Sequence, residues 1–546
     1  MRAAHSFLLH AGEGRPGDGV ILNRYVHHSH TTREGIMSQT PFYITTPIYY
    51  VNGEPHIGTA YTTVAADTIA RFNRLDGQDV HFLTGLDEHG QKVAQSATEH
   101  GMTPQQWCDS QLPQFQELWR DLDITNDDFI RTTEERHIAG VQKFLQALYD
   151  NGYLYKDSYE GLYCTPCETF FNEDDLVDGC CPDCGRPVQP IKEENWFFKL
   201  SEFGDKLIAY YEANPEFIRP EIRRNEVMSF VKGGMHDLSI SRSTFDWGVP
   251  LPFDPEHVTS VWVDALINYL TALGYGSGDE SQLEYRWPAD FHFVGKDIIR
   301  FHCVIWPAML MAAGMPLPKH VFAHGFLMAA DGSKMSKSKG NALYPRELME
   351  TYGVDAYRYY FMSDVTFGSD GNIGLDRMTQ VYNADLANSY GNLFSRVSNM
   401  TVKYFDGVVP ACPAELVENP LKEIADELYP RYAACLRDVD FGGATGAVME
   451  LIHRANLYVE ESAPWNLAKA EETKPQLAAV LYNALEACRI SALLLCPFMP
   501  TTSDELYARL GLGKATEVRD GAAAAQWGGL PAGNTVVKGD ALVPRL

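Results

Sequence analysis

Three lysines lie close together in the segment 331–341, which reads DGSKMSKSKGN. Lys334, Lys337 and Lys339 are separated only by small or polar residues and Met335, so burying the segment would desolvate three ammonium groups together. The segment therefore predicts a cationic, hydrogen-bond-rich loop suited to a polyphosphate. Taken alone, it fits an ordinary solvated surface loop equally well.

A second candidate anion site lies upstream, at Pro55-His56-Ile57-Gly58. The β-branched and aromatic residues 42–46 predict a strand, and apolar residues at helical spacing predict a helix over 56–75. At such a strand-to-helix junction, backbone N–H groups and the helix dipole favour an anion. His56 could donate to a phosphate and Gly58 would let a base approach the backbone. A capping or packing histidine is the alternative.

Carboxylates follow two further predicted strands. The strand 80–83 runs into Asp87, and the strand 291–294 runs into Gly295 and Asp297. Parallel sheets bind ligands at the carboxyl ends of their strands, so Asp87 could pair with an ammonium group and Asp297 could accept from ribose hydroxyls. For Asp87, a helix-capping role in a turn is the alternative.

Two CxxC pairs predict a structural zinc site. Cys164 and Cys167 precede Cys181 and Cys184, and four thiolates at this spacing suit tetrahedral Zn²⁺. A redox pair or buried structural thiols are the alternatives. Cys180 is interpreted as a neighbour of the cluster because Cys181 keeps the two-residue spacing.

The elements around these residues predict an α/β fold. We expect a further strand over 260–265, helices over 134–151 and 195–214, and a helix that places Ile298, His302 and Trp306 on one face. With Trp262 and Tyr269 nearby, that face would form a large apolar pocket. Ordinary core is the alternative interpretation of this stripe.

Helical spacing replaces strand patterns from Gly374 onward and predicts a bundle. Asn392 and Arg396 lie four residues apart on one helix face, and Trp465 follows Pro464 at a helix start. A tryptophan beside an amide and a guanidinium could stack on and read unpaired bases.

Composition narrows the class of protein. The 546 residues are 45% apolar, enough for a large core, and the net charge of −27 argues against nonspecific nucleic-acid binding. We expect no apolar run of membrane-spanning length, no secretory signal and, from eleven cysteines, a reducing cytoplasm. Residues 1–36 are interpreted as a disordered or non-native leader, with a transit peptide as the alternative.

The combination of HIG at His56–Gly58 with KMSKS at 334–338 resembles class I aminoacyl-tRNA synthetases. Within that class, the chain resembles the methionine-specific family over about residues 40–546. Thr59 departs from a family position often occupied by His, and Leu266 from one where some relatives have proline. The residues that match the family's amino-acid pocket are Ile48, Tyr50, Asp87, Trp262, Ala265, Tyr269, Ile298, His302 and Trp306, and Leu266 is expected on the wall of the same pocket.

The resemblance implies a function and a set of ligands. It implies ATP-dependent attachment of L-methionine to tRNA(Met) through methionyl-adenylate, for both initiation and elongation of protein synthesis. Asp87 would bind the methionine ammonium, His56, Lys334 and Lys337 would be catalytic, and Asn392, Arg396 and Trp465 would recognise the CAU anticodon. ATP would be held by His56, Gly58, Thr59, Gly295, Asp297, Lys334 and Lys337. One structural Zn²⁺ per chain and Mg²⁺ with ATP are the expected metals.

The expected architecture is a split Rossmann-type parallel-sheet catalytic domain with an inserted zinc-binding connective module and an all-α anticodon-binding bundle. A monomer is expected because the appended C-terminal barrel of some relatives does not follow the bundle. A cytoplasmic location without membrane contact is expected as well. A non-enzymatic RNA-binding relative and a tRNA-independent amino-acid-activating enzyme are the rival hypotheses. The expected segments are a leader (1–36), the first half of the catalytic domain (37–151), the inserted module (152–245), the second half (246–373) and the bundle (374–546).

Overall fold

The computed structural model describes residues 40–165, 169–171, 173, 176–182, 185–335, 343–416 and 419–546. The leader 1–36, Cys167, Cys184 and Lys337, about which the sequence makes predictions, lie outside the described residues.

Most described strands belong to one parallel sheet and two antiparallel sheets. The strands are β1 (Pro41–Thr45), β2 (Tyr49–Tyr50), β3 (Asp79–Asp87), β4 (Asp128–Arg131), β5 (Leu154–Cys164), β6 (Thr169–Phe171), β7 (Gln189–Phe198), β8 (Ile218–Arg219), β9 (Leu238–Ser239), β10 (Ser241–Arg242), β11 (Pro250–Leu251), β12 (Asp254–Thr259), β13 (Phe291–Gly295), β14 (His320–His324), β15 (Leu327–Ala329) and β16 (Gly371–Ile373).

The helices cover both faces of the parallel sheet and form the C-terminal bundle. They are α1 (Ile57–Leu75), α2 (Gln91–Glu99), α3 (Pro104–Asp121), α4 (Glu135–Asp150), α5 (Gly204–Ala213), α6 (Glu221–Lys232), α7 (Val261–Leu266), α8 (Asn268–Thr271), α9 (Ser281–Arg286), α10 (Trp306–Ala312), α11 (Pro345–Tyr352), α12 (Val354–Ser363), α13 (Leu375–Val381), α14 (Asn392–Phe405), α15 (Pro420–Arg437), α16 (Phe441–Ser462), α17 (Pro464–Leu467), α18 (Lys474–Leu495), α19 (Pro500–Arg509) and α20 (Gly521–Ala524).

Shorter or wider helical turns join these elements. Turns of 3₁₀-helix cover Leu200–Phe203, Lys296–Ile298, Ala414–Leu416, Glu471–Thr473 and Ala515–Glu517. Segments of π-helix cover Phe301–Ile305 and Tyr382–Gly391.

The parallel sheet has the order β2-β3-β1-β13-β14-β8, with β4 paired to β3. β1 lies between β3 and β13, so Ile44 is opposite both Phe82 and Phe291. The chain leaves β1 toward β3 on one side and returns through β13 and β14 on the other. Ligands bind at such a switch point, outside the carboxyl ends of the strands.

The chain between the two halves of the parallel sheet forms antiparallel sheets. β5 and β7 pair along most of their length in a sheet of order β6-β5-β7-β9, and β10-β12-β11 forms another. β8, which lies in the same stretch of chain, instead pairs with β14 at the edge of the parallel sheet. This stretch of chain is therefore joined to the parallel sheet by one of its own strands.

Side-chain alternation along β1 separates two hydrophobic cores. Phe42 and Ile44 join the core that includes α1, α12 and the helical bundle. Tyr43 points to the opposite face and joins the core of α4, α5, α8 and α10. Successive side chains of a strand point to opposite faces, which explains the division.

A buried ion pair joins α12 to α1. The Arg358 guanidinium on α12 lies 2.6 Å from an Asp67 carboxylate oxygen on α1, and both side chains are fully buried. Arg358 also donates to the carbonyl oxygens of Leu122, Pro497 and Phe498. These bonds satisfy the guanidinium inside a core, which is necessary for burying a charge.

The structure confirms the predicted helices at 56–75 and 134–151 as α1 and α4, but it contradicts two other predictions. Residues 261–266 form the helix α7 and not a strand, because a short buried apolar run does not distinguish the two. Residues 195–198 belong to β7 and not to a helix, because pairing with β5 and β9 outweighs their local pattern.

One helical stretch among the described residues, Glu471–Leu495, is long and apolar enough to cross a membrane by length and composition. The expectation that no run reaches that length was therefore wrong. All of its apolar window is buried, where α18 packs against α14, α15, α16 and α19. Burial on all sides is typical of the central helix of a bundle.

Candidate active site

A cavity of about 320 Å³ lies at the carboxyl edge of the parallel sheet. It unites the two sets of residues that the sequence predicts for a nucleotide and for an amino acid. The predicted residues that line it are Ile48, Tyr50, His56, Gly58, Thr59, Asp87, Trp262, Ala265, Leu266, Tyr269, Gly295, Asp297, Ile298 and His302.

His56 is the N-cap of α1, at one end of the cavity. Its Nδ1 accepts the backbone N–H groups of Gly58 at 3.1 Å and Thr59 at 3.3 Å. These two N–H groups are therefore bonded within the chain, and anion binding at this junction stays a prediction. Because Nδ1 acts as an acceptor, the proton of the neutral ring is on Nε2, so Nε2 is the atom of His56 that can donate to a ligand.

Gly58 is the place where backbone and ring come closest. A Cβ atom added there would lie 3.0 Å from Cε1 of His56, tighter than ordinary packing. The glycine therefore allows the His56 ring to fold over the first turn of α1 while the backbone faces the cavity.

The other end of the cavity carries a buried carboxylate and aromatic rings. Asp87, the last residue of β3, is only 2% exposed. Trp262 stacks on Phe301 with ring centroids 3.9 Å apart and meets Tyr50 edge-on at 6.0 Å. A carboxylate in an apolar, aromatic pocket suits a ligand with one ammonium group and an apolar, polarizable side chain.

Hydrogen bonds assign the protonation of His302. Its Nδ1–H donates to the Ile298 carbonyl oxygen at 3.0 Å, so Nε2 accepts the Tyr269 hydroxyl at 2.8 Å. Burial lowers the pKa of His302 to about 4, and the bond to Ile298 opposes this only in part. The ring is therefore neutral at physiological pH, and the pocket wall carries no cation there.

Replacing His302 with Gln is expected to flatten the pH dependence of stability. An unfolded histidine titrates near 6.5, whereas His302 titrates at about 4 in the folded chain. Between these values only the unfolded chain binds the proton, so stability falls as pH falls through the window and is unaffected above about pH 6.5. The parent should lose up to about 3 kcal/mol more than the variant between pH 6.5 and 4. Parallel thermal melts across this range measure the difference, and equal slopes would contradict it.

Trp306 lies behind the cavity wall. Its side chain is fully buried, and its ring centroid is 6.1 Å from that of Tyr269. The π-helical turn at Phe301–Ile305 interrupts the α-helical spacing on which a common face with Ile298 and His302 was predicted. Direct contact of Trp306 with a ligand stays a prediction.

Lys334 lies at the mouth of the cavity. Its Nζ is 5.2 Å from the ring centroid of Phe326, which lines the cavity. The Nζ of Lys296 is 4.4 Å from the same ring and 2.7 Å from both carboxylate oxygens of Asp370. Two ammonium groups therefore border the end of the cavity at which the sequence predicts a nucleotide.

Sequence reasoning missed His324 at this end of the cavity. His324, the last residue of β14, lines the cavity and lies 2.7 Å from the Thr62 hydroxyl oxygen. Its Nδ1 lies 2.8 Å from the Gly325 carbonyl oxygen. A polar residue at the carboxyl end of an apolar strand was the available signal.

The described cysteines of the predicted zinc site come together. Cys164, from the first CxxC pair, and Cys181, from the second, form a small buried cluster with Leu176 and Val188 packed against it. The Gly185 N–H donates to the Cys181 carbonyl oxygen at 2.8 Å, with Gly185 at a φ of 69°. The described residues include no group of three or more His, Cys, Asp or Glu side chains that could hold a metal ion.

The predicted RNA-reading residues lie on the bundle. Arg396 on α14 pairs with Glu460 on α16, with 2.7 Å between the nitrogen and oxygen atoms. Asn392 begins α14, and Trp465 lies in α17, directly after α16, with 40% of the residue exposed. A tryptophan this exposed is available for stacking on a base.

A parallel sheet with HIG at one strand-to-helix junction and KMSKS after the last central strand defines a class I aminoacyl-tRNA synthetase. The family model "tRNA synthetases class I (M)" matches residues 42–190 and 186–398. The model "Anticodon binding domain of methionyl tRNA ligase" matches residues 411–546.

Individual relatives agree with these models. A methionine--tRNA ligase of Streptomyces coelicolor is 50% identical over 92% of this chain and 96% of its own. One of Caldanaerobacter subterraneus is 50% identical over 92% of this chain and 79% of its own. A Mycobacterium tuberculosis methionyl-tRNA synthetase in complex with methionyl-adenylate superposes with a TM-score of 0.89 at 43% identity, covering 93% of this chain and 100% of that chain. The chain therefore belongs to the methionyl-tRNA synthetase family.

Proposed function

We propose that the protein attaches L-methionine to tRNA(Met) in an ATP-dependent reaction through methionyl-adenylate. One observation carries the proposal: a single cavity joins the HIG segment and Asp297 to Asp87 and the aromatic pocket. The family relationship supports it, and so does the relative whose structure holds methionyl-adenylate.

The reaction has two steps. The methionine carboxylate attacks the α-phosphate of ATP, forming an acyl–phosphate bond while pyrophosphate leaves. A ribose hydroxyl of the tRNA 3′ end then attacks the carbonyl carbon and releases AMP. Neither step requires a covalent enzyme intermediate, so the protein contributes positioning and stabilisation of developing charge.

Each end of the cavity has a proposed role. Asp87 binds the methionine ammonium, and the aromatic rings enclose the thioether. His56 donates from Nε2 to the polyphosphate, and Lys334 and Lys337 add positive charge to it. Asp297 accepts from the ribose hydroxyls. Mg²⁺ prefers phosphate oxygens and supplies charge neutralisation when it arrives with ATP.

The bundle is proposed to read the CAU anticodon of initiator and elongator tRNA(Met). Trp465 would stack on a base, while Asn392 and Arg396 would hydrogen-bond base edges. Arg396 pairs with Glu460 in the structure, so a base that binds this guanidinium has to compete with a carboxylate.

One experiment tests the whole proposal. ATP–pyrophosphate exchange is measured across a panel of amino acids, and charging is then measured on tRNAs that differ only in the anticodon. We expect exchange to depend on methionine and charging to require CAU. Absence of methionine-dependent exchange would reject the proposal, and exchange without charging would leave an activating enzyme that uses no tRNA.

Zinc is proposed to hold the inserted module through Cys164, Cys167, Cys181 and Cys184. The approach of Cys164 and Cys181, one from each CxxC pair, supports this donor set, and four thiolates form a closed structural site. We expect one zinc per purified chain by elemental analysis and loss of the metal in Cys164→Ser. Cys412→Ser, on a half-buried cysteine outside the module, is the control and should keep the metal. Equal zinc content in both variants would reject the site.

A cytoplasmic monomer is proposed because the substrates belong to protein synthesis and a net charge of −27 opposes self-association. Light scattering after size exclusion measures the oligomeric state, and a dimer would contradict this proposal.

A further inference from the structure

A buried carboxylate next to the cavity binds two histidines from distant parts of the chain. The Asp264 Oδ2 lies 2.6 Å from the His89 Nδ1, and its Oδ1 lies 2.8 Å from the His137 Nε2. The His137 Nδ1 lies 2.8 Å from the Thr271 hydroxyl oxygen. Asp264 and His137 are fully buried, and His89 is 5% exposed.

Asp264 therefore joins α7 to the turn after β3, which follows Asp87 of the cavity lining, and to α4 behind the cavity wall. His89 lies two residues after Asp87, in the turn that follows β3. Asp264 lies on α7, which also carries Trp262, Ala265 and Leu266 of the cavity wall. His137 lies on α4, so the carboxylate is linked to that helix as well. The His137 ring in turn contacts Thr271 on α8, the helix that carries Tyr269. Asp264 itself does not line the cavity, so any effect on a ligand passes through these neighbours.

Fold stability alone is a weak reason for this arrangement. A buried ionised group loses its hydration, and well-packed apolar residues often stabilise a core as well or better. Burial by itself would raise the pKa of Asp264, but His89 and His137 outweigh it and lower the pKa to about 2. The carboxylate is therefore ionised, and each of its oxygens holds one ring at a defined distance and angle.

Other bonds also hold the turn after β3. The Glu88 side chain accepts from Arg131 and Thr133, and the Glu88 N–H donates to the Thr132 hydroxyl oxygen at 3.0 Å. The Trp247 Nε1–H donates to the Glu88 carbonyl oxygen at 2.6 Å, and the Gly90 N–H donates to the Trp247 carbonyl oxygen at 3.1 Å. Both bonds hold the backbone of the turn to the loop before β11. A direct side-chain bond from this turn to α7 is the one between His89 and Asp264.

We propose that Asp264 is a positioning residue of the methionine pocket, which holds the Asp87 turn at a set distance from the helix that bears Trp262. This inference rests on the proposed function of the cavity. The residues proposed for the ammonium group and for the thioether lie on different elements. The affinity for a ligand that occupies both sites therefore depends on the distance between those elements. A shift of a few tenths of an ångström would weaken methionine binding and leave the ATP end of the cavity unchanged.

The test is the Asp264→Asn variant in ATP–pyrophosphate exchange. Asn has nearly the same size as Asp, but its amide N–H₂ group replaces one carboxylate oxygen. One of the two histidine N–H groups therefore loses its acceptor. We expect the KM for methionine to rise about tenfold and the KM for ATP to change less than twofold. Glu486→Gln is the matched control, because Glu486 is an equally buried carboxylate that binds Arg489 in the bundle. It should lower the melting temperature and leave both KM values unchanged.

A second pair of variants decides the question if Asp264→Asn does not fold. His89→Asn retains an N–H donor near the position of Nδ1, and His89→Leu removes it. The expected result is a raised methionine KM in His89→Leu and a value close to the parent in His89→Asn. The inference would be overturned if both His89 variants had the same KM for methionine. It would also be overturned if Asp264→Asn changed the KM for methionine and the KM for ATP by the same factor. A parent without methionine-dependent exchange would overturn the proposed function and this inference with it.

Discussion

Replacing Asp87 with Asn is expected to raise the KM for methionine about 100-fold, equivalent to about 3 kcal/mol, and to change the KM for ATP little. Asp87 is 2% exposed, so an ammonium group that pairs with it as proposed is also removed from water. Removing one partner of such a pair leaves the other charge buried without compensation, and this accounts for the size of the effect. Steady-state pyrophosphate exchange at varied methionine and ATP measures both constants.

Two controls make this result specific. Asp297→Asn, at the exposed nucleotide end of the same cavity, should raise the KM for ATP and leave that for methionine. A methionine analogue without the amino group, used as a competitive inhibitor, should bind Asp87→Asn at least as well as the parent, because the parent complex would bury the Asp87 carboxylate without a partner. A methionine KM within threefold of the parent in Asp87→Asn would exclude Asp87 as the ammonium ligand.

Replacing His56 separates its two roles. In His56→Ala both the helix cap and the donor are lost, so we expect about 1 kcal/mol lower stability and about 100-fold slower adenylate formation. In His56→Asn the side-chain oxygen can accept the Gly58 and Thr59 N–H groups, as Nδ1 does, but no N–H group reaches the position of Nε2. Stability should therefore recover while the rate stays low. Single-turnover kinetics at saturating substrates and thermal melts measure the two effects.

Thr103→Ala provides the control for loss of a cap. The Thr103 hydroxyl accepts the Gln106 N–H at the start of α3, and neither residue lines the cavity. This variant should lose about 1 kcal/mol of stability without slowing adenylate formation. A parental rate in His56→Asn would show that His56 acts through the helix cap alone.

The nucleotide motifs could be recognised in the sequence because their signals are local. His56 and Gly58 are adjacent to a strand–helix boundary that periodicity locates, and α1 begins at Ile57 as expected. The role of His56 was less accessible, because the choice between cap and donor depends on a rotamer. The structure shows that Nδ1 caps α1, which leaves the donor role to Nε2.

The amino-acid pocket was less accessible from residue patterns. Most of its residues were named through the family resemblance, and the strand predicted over 260–265 is the helix α7. A run of six mostly apolar residues has no length or period that separates a strand from a buried helix. The π-helical turn at Phe301–Ile305 likewise has no signal in the spacing, and it changes how Trp306 lies relative to His302.

The sequence by itself determined the α/β catalytic fold followed by a helical bundle and the chemistry of its motifs. Those properties depend on residue types and on spacings within single elements. Only the tertiary structure decided that Asp87, Trp262 and His56 share one cavity, that His324 and Phe326 border it, and that Asp264 contacts both His89 and His137. These contacts join residues far apart in the chain, and they form only when the parallel sheet brings the carboxyl ends of its strands to one edge.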